Sequence, residues 1–146
     1  MPNWCENELT VTGNVLFVGA FLEGVRGEEG VFDFQRVIPI PDEVNDGSAA
    51  VVEWAYENWG TKWNVIRPDI SELLDIARGR RKATIRFDTA WSPPLPVVRK
   101  LISDYPLLVF NLKYWEGGSG FCGVLKGRRG RELGYKQMEY RGTRGG

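Results

Sequence analysis

The chain has 146 residues, 42% of them hydrophobic and 26% charged, with a formal net charge of zero and no histidine. That length and mix suit one globular domain, and the missing histidine removes Ser-His-Asp and Cys-His nucleophile systems and every histidine metal site. Two cysteines, Cys5 and Cys122, are too few for a disulfide framework or a cysteine-only zinc site, so no metal and no cofactor are expected.

The opening residues, MPNWCENELT, lack the basic and apolar regions of a signal peptide, and no run of 18 apolar residues occurs. A cytoplasmic protein with reduced thiols and no membrane contact is therefore expected. In NELTVTG, Leu9 and Val11 alternate with Glu8, Thr10 and Thr12, the period-two pattern of a half-buried strand. Gly13 breaks the pattern and Asn14 suits a helix N-cap. Val18, Phe21, Leu22 and Val25 then form one apolar helical stripe, with Gly27 as its stop.

Residues 28–60 exceed an ordinary helix-to-strand link of about 2–6 residues. Pro39 and Pro41 exclude a central strand there. A short helix is expected from Ser48 to Asn58, with Val51, Trp54, Ala55 and Asn58 on one side and Gly60 as its cap. The segment reads as an insertion packed on the domain.

TKWNVIR reads as the next strand. PDISELLDIARGRRK fits two patterns: Ile70, Leu73, Leu74 and Ala77 make a helical stripe, and the same stretch serves as one arm of a hairpin turning at RGRR. KATIRFDTAW is a strand with Ala83, Ile85 and Phe87 opposite Thr84, Arg86 and Asp88. SPP starts a helix, with Ser92 as cap, and Val97, Val98, Leu101, Ile102 and Tyr105 give its stripe. Pro106 ends it. LLVFNLKYW is a strand, with Phe110, Leu112 and Tyr114 opposite Val109, Asn111, Lys113 and Trp115. EGGSG turns the chain, FCGVLKG returns it, and GYKQMEYR is expected to add a short strand.

The order predicts an α+β, ferredoxin-like split βαβ fold (β-α-β-β-α-β): an antiparallel sheet with two helices on one face. A helical insertion follows the first helix, and a C-terminal β-hairpin is appended. Residues 1–127 are expected to be one domain, and 128–146 a basic, glycine-rich extension.

Charge is uneven along the chain. Nine acids face two bases from Glu23 to Glu57, whereas seven bases face two acids from Lys126 onward. Such asymmetry suits a directional surface for partners more than a generic nucleic-acid binder.

MPNWCENELTVTG, VIPIP, ENWGTKWN, FDTAWSPP and YWEGGSGFCG occur together and in order. On these motifs the chain, from Met1 to about Gly123, resembles the YubB ferredoxin-like family, small proteins carried by conjugative plasmids and phages. The resemblance implies a ferredoxin-like domain and a mobile-element setting, and it implies no reaction. Asn64 stands where family members often carry an acidic residue, and the tail after Gly127 departs from the pattern.

Six tryptophans are a high count. Each brings roughly 150–250 Å² of burial and an N–H that needs a partner. They read either as a second core or as the lining of a cleft. The cleft would be a tryptophan-rich corner of Asn58, Trp59, Lys62, Trp63, Asp88 and Trp91, holding a partner side chain, a base or a nucleotide. Arg78, Arg80, Arg81 and Lys82, with Arg128, Arg129 and Arg131 near the C-terminus, are candidate phosphate contacts against a background of solvated loops. Arg86 and Thr10 stand where an RNA-binding sheet would place stacking rings, which disfavours that mode.

Glu53, Glu57 and Asp88 have no spacing that demands acid–base work. Gly117–Gly120 lacks the lysine of a phosphate-binding loop. The expected function is a non-enzymatic binding protein of a phage or plasmid that engages a host protein, for instance as an inhibitor of a bacterial defence system. Two alternatives stand beside it: nucleic-acid binding through the basic loop and tail, and a nucleotide or small ligand at the tryptophan corner. Exposed sheet edges leave room for a dimer.

Overall fold

In the computed structural model, which describes residues 3–140, the alternation in NELTVTG belongs to a longer strand, β1 (Trp4–Asn14). Its odd-numbered side chains from Cys5 to Val11 are buried, and its even-numbered ones meet solvent to varying degrees. The Asn14 side chain accepts from the Leu16 N–H and starts α1 (Val15–Val25), whose buried stripe is Val18, Phe21 and Val25. α1 leaves in an extended conformation at Arg26. Gly27 therefore does not act as a left-handed cap. Its lack of a side chain instead makes room for the Asp33 carboxylate.

The insertion is an aromatic wedge on the helix-bearing face. Asp33 caps a 3-10 turn (Phe34–Arg36), and Phe32 and Phe34 meet Phe87 edge-on, at centroid distances of 5.1 and 6.1 Å. Ser48 caps α2 (Ala49–Asn58). Gly60 follows it with φ +80°, and its N–H reaches the Ala55 carbonyl.

TKWNVIR is not a strand over its length. Residues 61–65 bend because Asn64 is used as a clip: its oxygen accepts from the N–H groups of Phe34 and Val65, and its amide donates to Asp33 at 2.8 Å. Only an amide can make both sets of bonds beside a carboxylate, which accounts for asparagine at this position. The strand proper is β2 (Ile66–Asp75), paired with β3 (Arg80–Ala90). The hairpin reading of 69–81 therefore holds, because β2 spends the helical-looking residues Leu73 and Leu74 on an edge strand, both exposed. Its edge position also accommodates Pro68.

α3 (Leu95–Asp104) buries Val97, Val98, Leu101 and Ile102. Ser92 is not its cap. Pro94 holds that position without a side-chain bond, and the Ser92 hydroxyl donates to the Gly60 carbonyl at 2.6 Å. β4 (Val109–Glu116), β5 (Phe121–Arg128) and β6 (Arg131–Glu139) complete one six-stranded antiparallel sheet in the order β2-β3-β1-β4-β5-β6. The four strands β2-β3-β1-β4 are the split βαβ core: β3 lies between β1 and β2, and β1 between β3 and β4. A domain boundary at 127 falls inside β5, and β6 pairs along β5, so the start of the supposed extension is sheet. Residues 141–146, with Arg141 and Arg144 of the expected basic tail, lie outside the described residues.

The core lies between this sheet and the helices. Leu9, Val11, Ile85, Phe87, Phe110 and Leu112 are all at most 3% exposed, and Phe21 of α1 meets Phe110 at 5.6 Å. Among the described residues, no helix lies over the other sheet face.

Candidate binding surfaces

Two segments far apart in sequence are stitched at one end of the sheet. The Thr61 hydroxyl donates to the Ala90 carbonyl at 2.7 Å, and Ser92 bonds Gly60 in return. The Trp91 N–H donates to Asn3 at 2.8 Å, which brings the start of β1 to the same place. The stitching is tight: a side chain at Gly60 would meet Pro96 and the Pro93 carbonyl.

This end gathers part of the expected tryptophan corner. Trp63 meets Trp4 at a centroid distance of 6.2 Å. The Lys62 ammonium stands 5.0 Å from the Trp63 ring, and the Arg67 guanidinium 5.6 Å from the Trp4 ring. Arg67 also donates to Asp88 at 2.8 Å. Lys62, Trp63 and Asp88 are thus linked through Trp4 and Arg67, two residues that sequence reasoning missed. Trp91 lies next to them along the backbone, 40% exposed.

Trp59 and Asn58 belong elsewhere. The Trp59 ring is 2% exposed and packs edge-on against Phe34 and Trp54, and its N–H donates to the Ile38 carbonyl at 2.8 Å. The Asn58 amide donates to the Trp54 carbonyl within α2. The chain reversal at Gly60 sends the Trp59 ring into the core and the Trp63 ring to the surface.

Two of the three non-glycine residues that take the left-handed region among the described residues sit at this end, Arg67 (φ 50°) and Trp91 (φ 73°); the third, Arg129 (φ 54°), is in the β5–β6 turn. Each carries a penalty of roughly 1–2 kcal/mol. Arg67 sits in the register shift between Ile66 and Asp69, a bulge that aims its side chain over Trp4.

The basic runs occupy the opposite end. Arg78 pairs with Asp75 and Arg81 with Glu72, Arg80 opens β3, and Lys82 points to the uncovered face. Arg128, Arg129 and Arg131 form the tip of the β5–β6 hairpin. The β2–β3 turn and the β5–β6 turn lie at the same end of the sheet, because β3 begins opposite the end of β1 and β5 ends opposite the start of β4.

Glu53 and Glu57 are exposed on α2, and Asp88 is held by Arg67. Among the described residues, no cluster of three or more His, Cys, Asp or Glu is placed to hold a metal ion. Glu116 is fully buried, and its carboxylate accepts from the Gly118 and Ser119 N–H groups, closing the β4–β5 turn. Burial pushes the Cys5 thiol up to about 12, against a lowering hydrogen bond with Thr89. Cys5 is therefore expected to resist iodoacetamide at pH 8 in the native protein and to react on unfolding, as read by mass spectrometry. The raised value means the unfolded thiol loses its proton first, so this group's contribution to stability falls as pH rises from about 9 to about 12.

A recess beside the tryptophan-bearing end, lined by Glu6, Asn7, Asp88 and Trp115 among others, holds about 70 Å³. That is well below the ~300–1,000 Å³ of small-molecule pockets.

The family described as a ferredoxin-like domain in Api92-like protein matches residues 58–143. The crystal structure of a protein Api92 from Yersinia pseudotuberculosis superposes on 98% of this chain and 99% of its own, with a TM-score of 0.72 at 12% sequence identity. At that identity the likeness is one of fold. No curated protein matches the sequence significantly.

Proposed function

The chain belongs to the family of ferredoxin-like domains in Api92-like proteins, and on that scaffold we propose a non-enzymatic binding protein that grips a host protein with the tryptophan-bearing end of its sheet. The observation that carries this reading is the Trp4–Trp63–Arg67 group, with Trp63 and Arg67 exposed and Trp4 half-buried, beside Trp91 in the left-handed region. Tryptophan and arginine are the residues that most often anchor protein interfaces. Trp63 is 38% and Trp91 40% exposed, a large apolar area to leave in water. Strain at surface positions recurs at ligand clamps, where geometry outweighs local stability.

The setting of a phage or plasmid protein comes from the resemblance to YubB-type proteins, and inhibition of a host defence system is the concrete role it suggests. The test is cross-linking and capture from host lysate with the wild type, Trp63→Ala and Arg67→Ala. Loss of an anchor is expected to weaken a captured partner by about 30-fold, the equivalent of roughly 2 kcal/mol. A partner retained equally by both folded variants rules out this end as the contact.

A further inference from the structure

The uncovered face of the sheet collects cations that are scattered in sequence. Lys113 and Lys136 share one cross-strand row through Val124. Lys126 stands in the next row, opposite Asn111, and Lys82 in the third, opposite Thr12. Arg128 and Arg131 face each other where that third row meets the hairpin end. All six are exposed, and the residues alternating with them (Ala83, Leu112, Leu125 and Gly127) are buried on the helix side.

None of the six is in an ion pair among the described residues, whereas Arg67, Arg78, Arg81, Arg99 and Lys100 each have a carboxylate partner. Arg86, in the first row, is tied to Glu8 at 3.5 Å. The acidic insertion packs on the helix-bearing face, and the carboxylates of the uncovered face, Glu6, Glu8, Asp69 and Asp88, belong to β1, β2 and β3, which leaves the β4–β5–β6 half of that face as the basic side. Such a charge distribution orients an approaching polyanion toward the basic side.

The floor between the cations carries hydroxyl and amide groups, Leu73, and two carboxylates already held by arginines, Glu8 by Arg86 and Glu72 by Arg81. Thr10, Thr84, Ser71 and Asn111 line a shallow depression of about 480 Å³ that also takes in Lys82 and Lys113. Small polar side chains between free ammonium groups suit phosphate oxygens. A protein interface would instead need an apolar centre.

We propose that this uncovered face binds the phosphate backbone of a single-stranded nucleic acid through Lys82, Lys113, Lys126, Arg128, Arg131 and Lys136, without reading base sequence. The cationic rows extend about 13 Å along the strands and about 19 Å across β3 to β6. A broad sheet face has no element to enter a duplex groove, but a strand can lie across it. The site is distinct from the tryptophan-bearing end and does not rest on that reading.

Fluorescence anisotropy with labelled single-stranded oligonucleotides of two unrelated sequences tests it. Both sequences are expected to bind alike, with affinity falling ~300-fold between about 50 and about 200 mM salt if all six cations are engaged. Lys126→Glu with Lys136→Glu is expected to weaken binding at least tenfold at low salt and to flatten the salt dependence by about 0.7 of a unit of slope per contact. Arg26→Glu with Arg36→Glu makes the same change in net charge on the helix side and is expected to stay within twofold. Glutamine versions of the first pair replace it should glutamate lower the Tm. No binding at low salt, equal losses in both charge variants, preference for duplex, or equal competition by polyglutamate or by phosphatidylserine vesicles would each overturn the proposal.

Discussion

Trp59→Ala is expected to destabilise the protein by about 3–5 kcal/mol, the range for removing a buried large aromatic. The ring is 2% exposed and joins the insertion to the core by edge contacts to Phe34 (5.7 Å) and Trp54 (5.2 Å). Its N–H satisfies the Ile38 carbonyl, so truncation opens a cavity and also leaves a polar group without its partner. For a domain of this size the loss corresponds to a Tm lower by about 10 °C, read by circular dichroism. Trp63→Ala, at a site 38% exposed, is expected to shift stability by about 1 kcal/mol or less. An unchanged Tm for Trp59→Ala would remove the tryptophan from the core and restore it to the binding corner.

Gly123→Val is expected to be comparably damaging for the opposite reason. A side chain at this β5 position would run into the Tyr114 phenol and lie 2.7 Å from the Lys136 carbonyl on β6. Neither neighbour yields easily. Tyr114 is fully buried, and its hydroxyl is held between Tyr135 and Gln137, each at 2.8 Å. Burial and the Tyr135 hydroxyl together hold that phenol well above its ordinary range, so it stays neutral in the folded protein. Overpacking of this kind costs about 1–3 kcal/mol in tolerant cores and more where backbone is struck. Breaking the hydroxyl triangle adds to that, for an expected loss of about 3 kcal/mol or more in urea unfolding. Gly134→Ala is the control: a methyl there meets nothing within 4 Å, and the change is expected to be neutral or slightly stabilising. Equal behaviour of the two glycine variants would show that crowding against Tyr114 is not the reason for Gly123.

Most of the fold was legible because its signals are local. Leu9 and Val11, Ile85 and Phe87, and Phe110 and Leu112 alternate along their own strands, and all are buried. Asn14 and Ser48 cap the helices they precede, and Gly60 takes the positive φ its place after α2 suggested. The misreadings occur where a side chain answers to a partner far along the chain. Asn64 bends a strand-like segment because Asp33 is beside it. Ser92 leaves its helix to hold Gly60. Gly27 yields to Asp33 rather than to a turn.

The candidate sites were less legible for the same reason. Lys62, Trp63, Asp88 and Trp91 were visible as residues of interest, but Trp4 and Arg67 join them only through pairing of β1 with β3 and the bulge in β2. Identical tryptophans four positions apart, Trp59 and Trp63, have opposite fates that no periodicity announces.

Residue order along the chain was enough to specify the alternation of strands and helices, their caps and the ferredoxin-like plan, since each depends on neighbours within about one turn or one hairpin. Register and packing between distant segments decided which indoles are core, where the sheet bears strain, and that lysines and arginines from β3, β4, β5 and β6 share one uncovered face. A side chain's periodic position says which way it points; only the cross-strand partner says what it points beside.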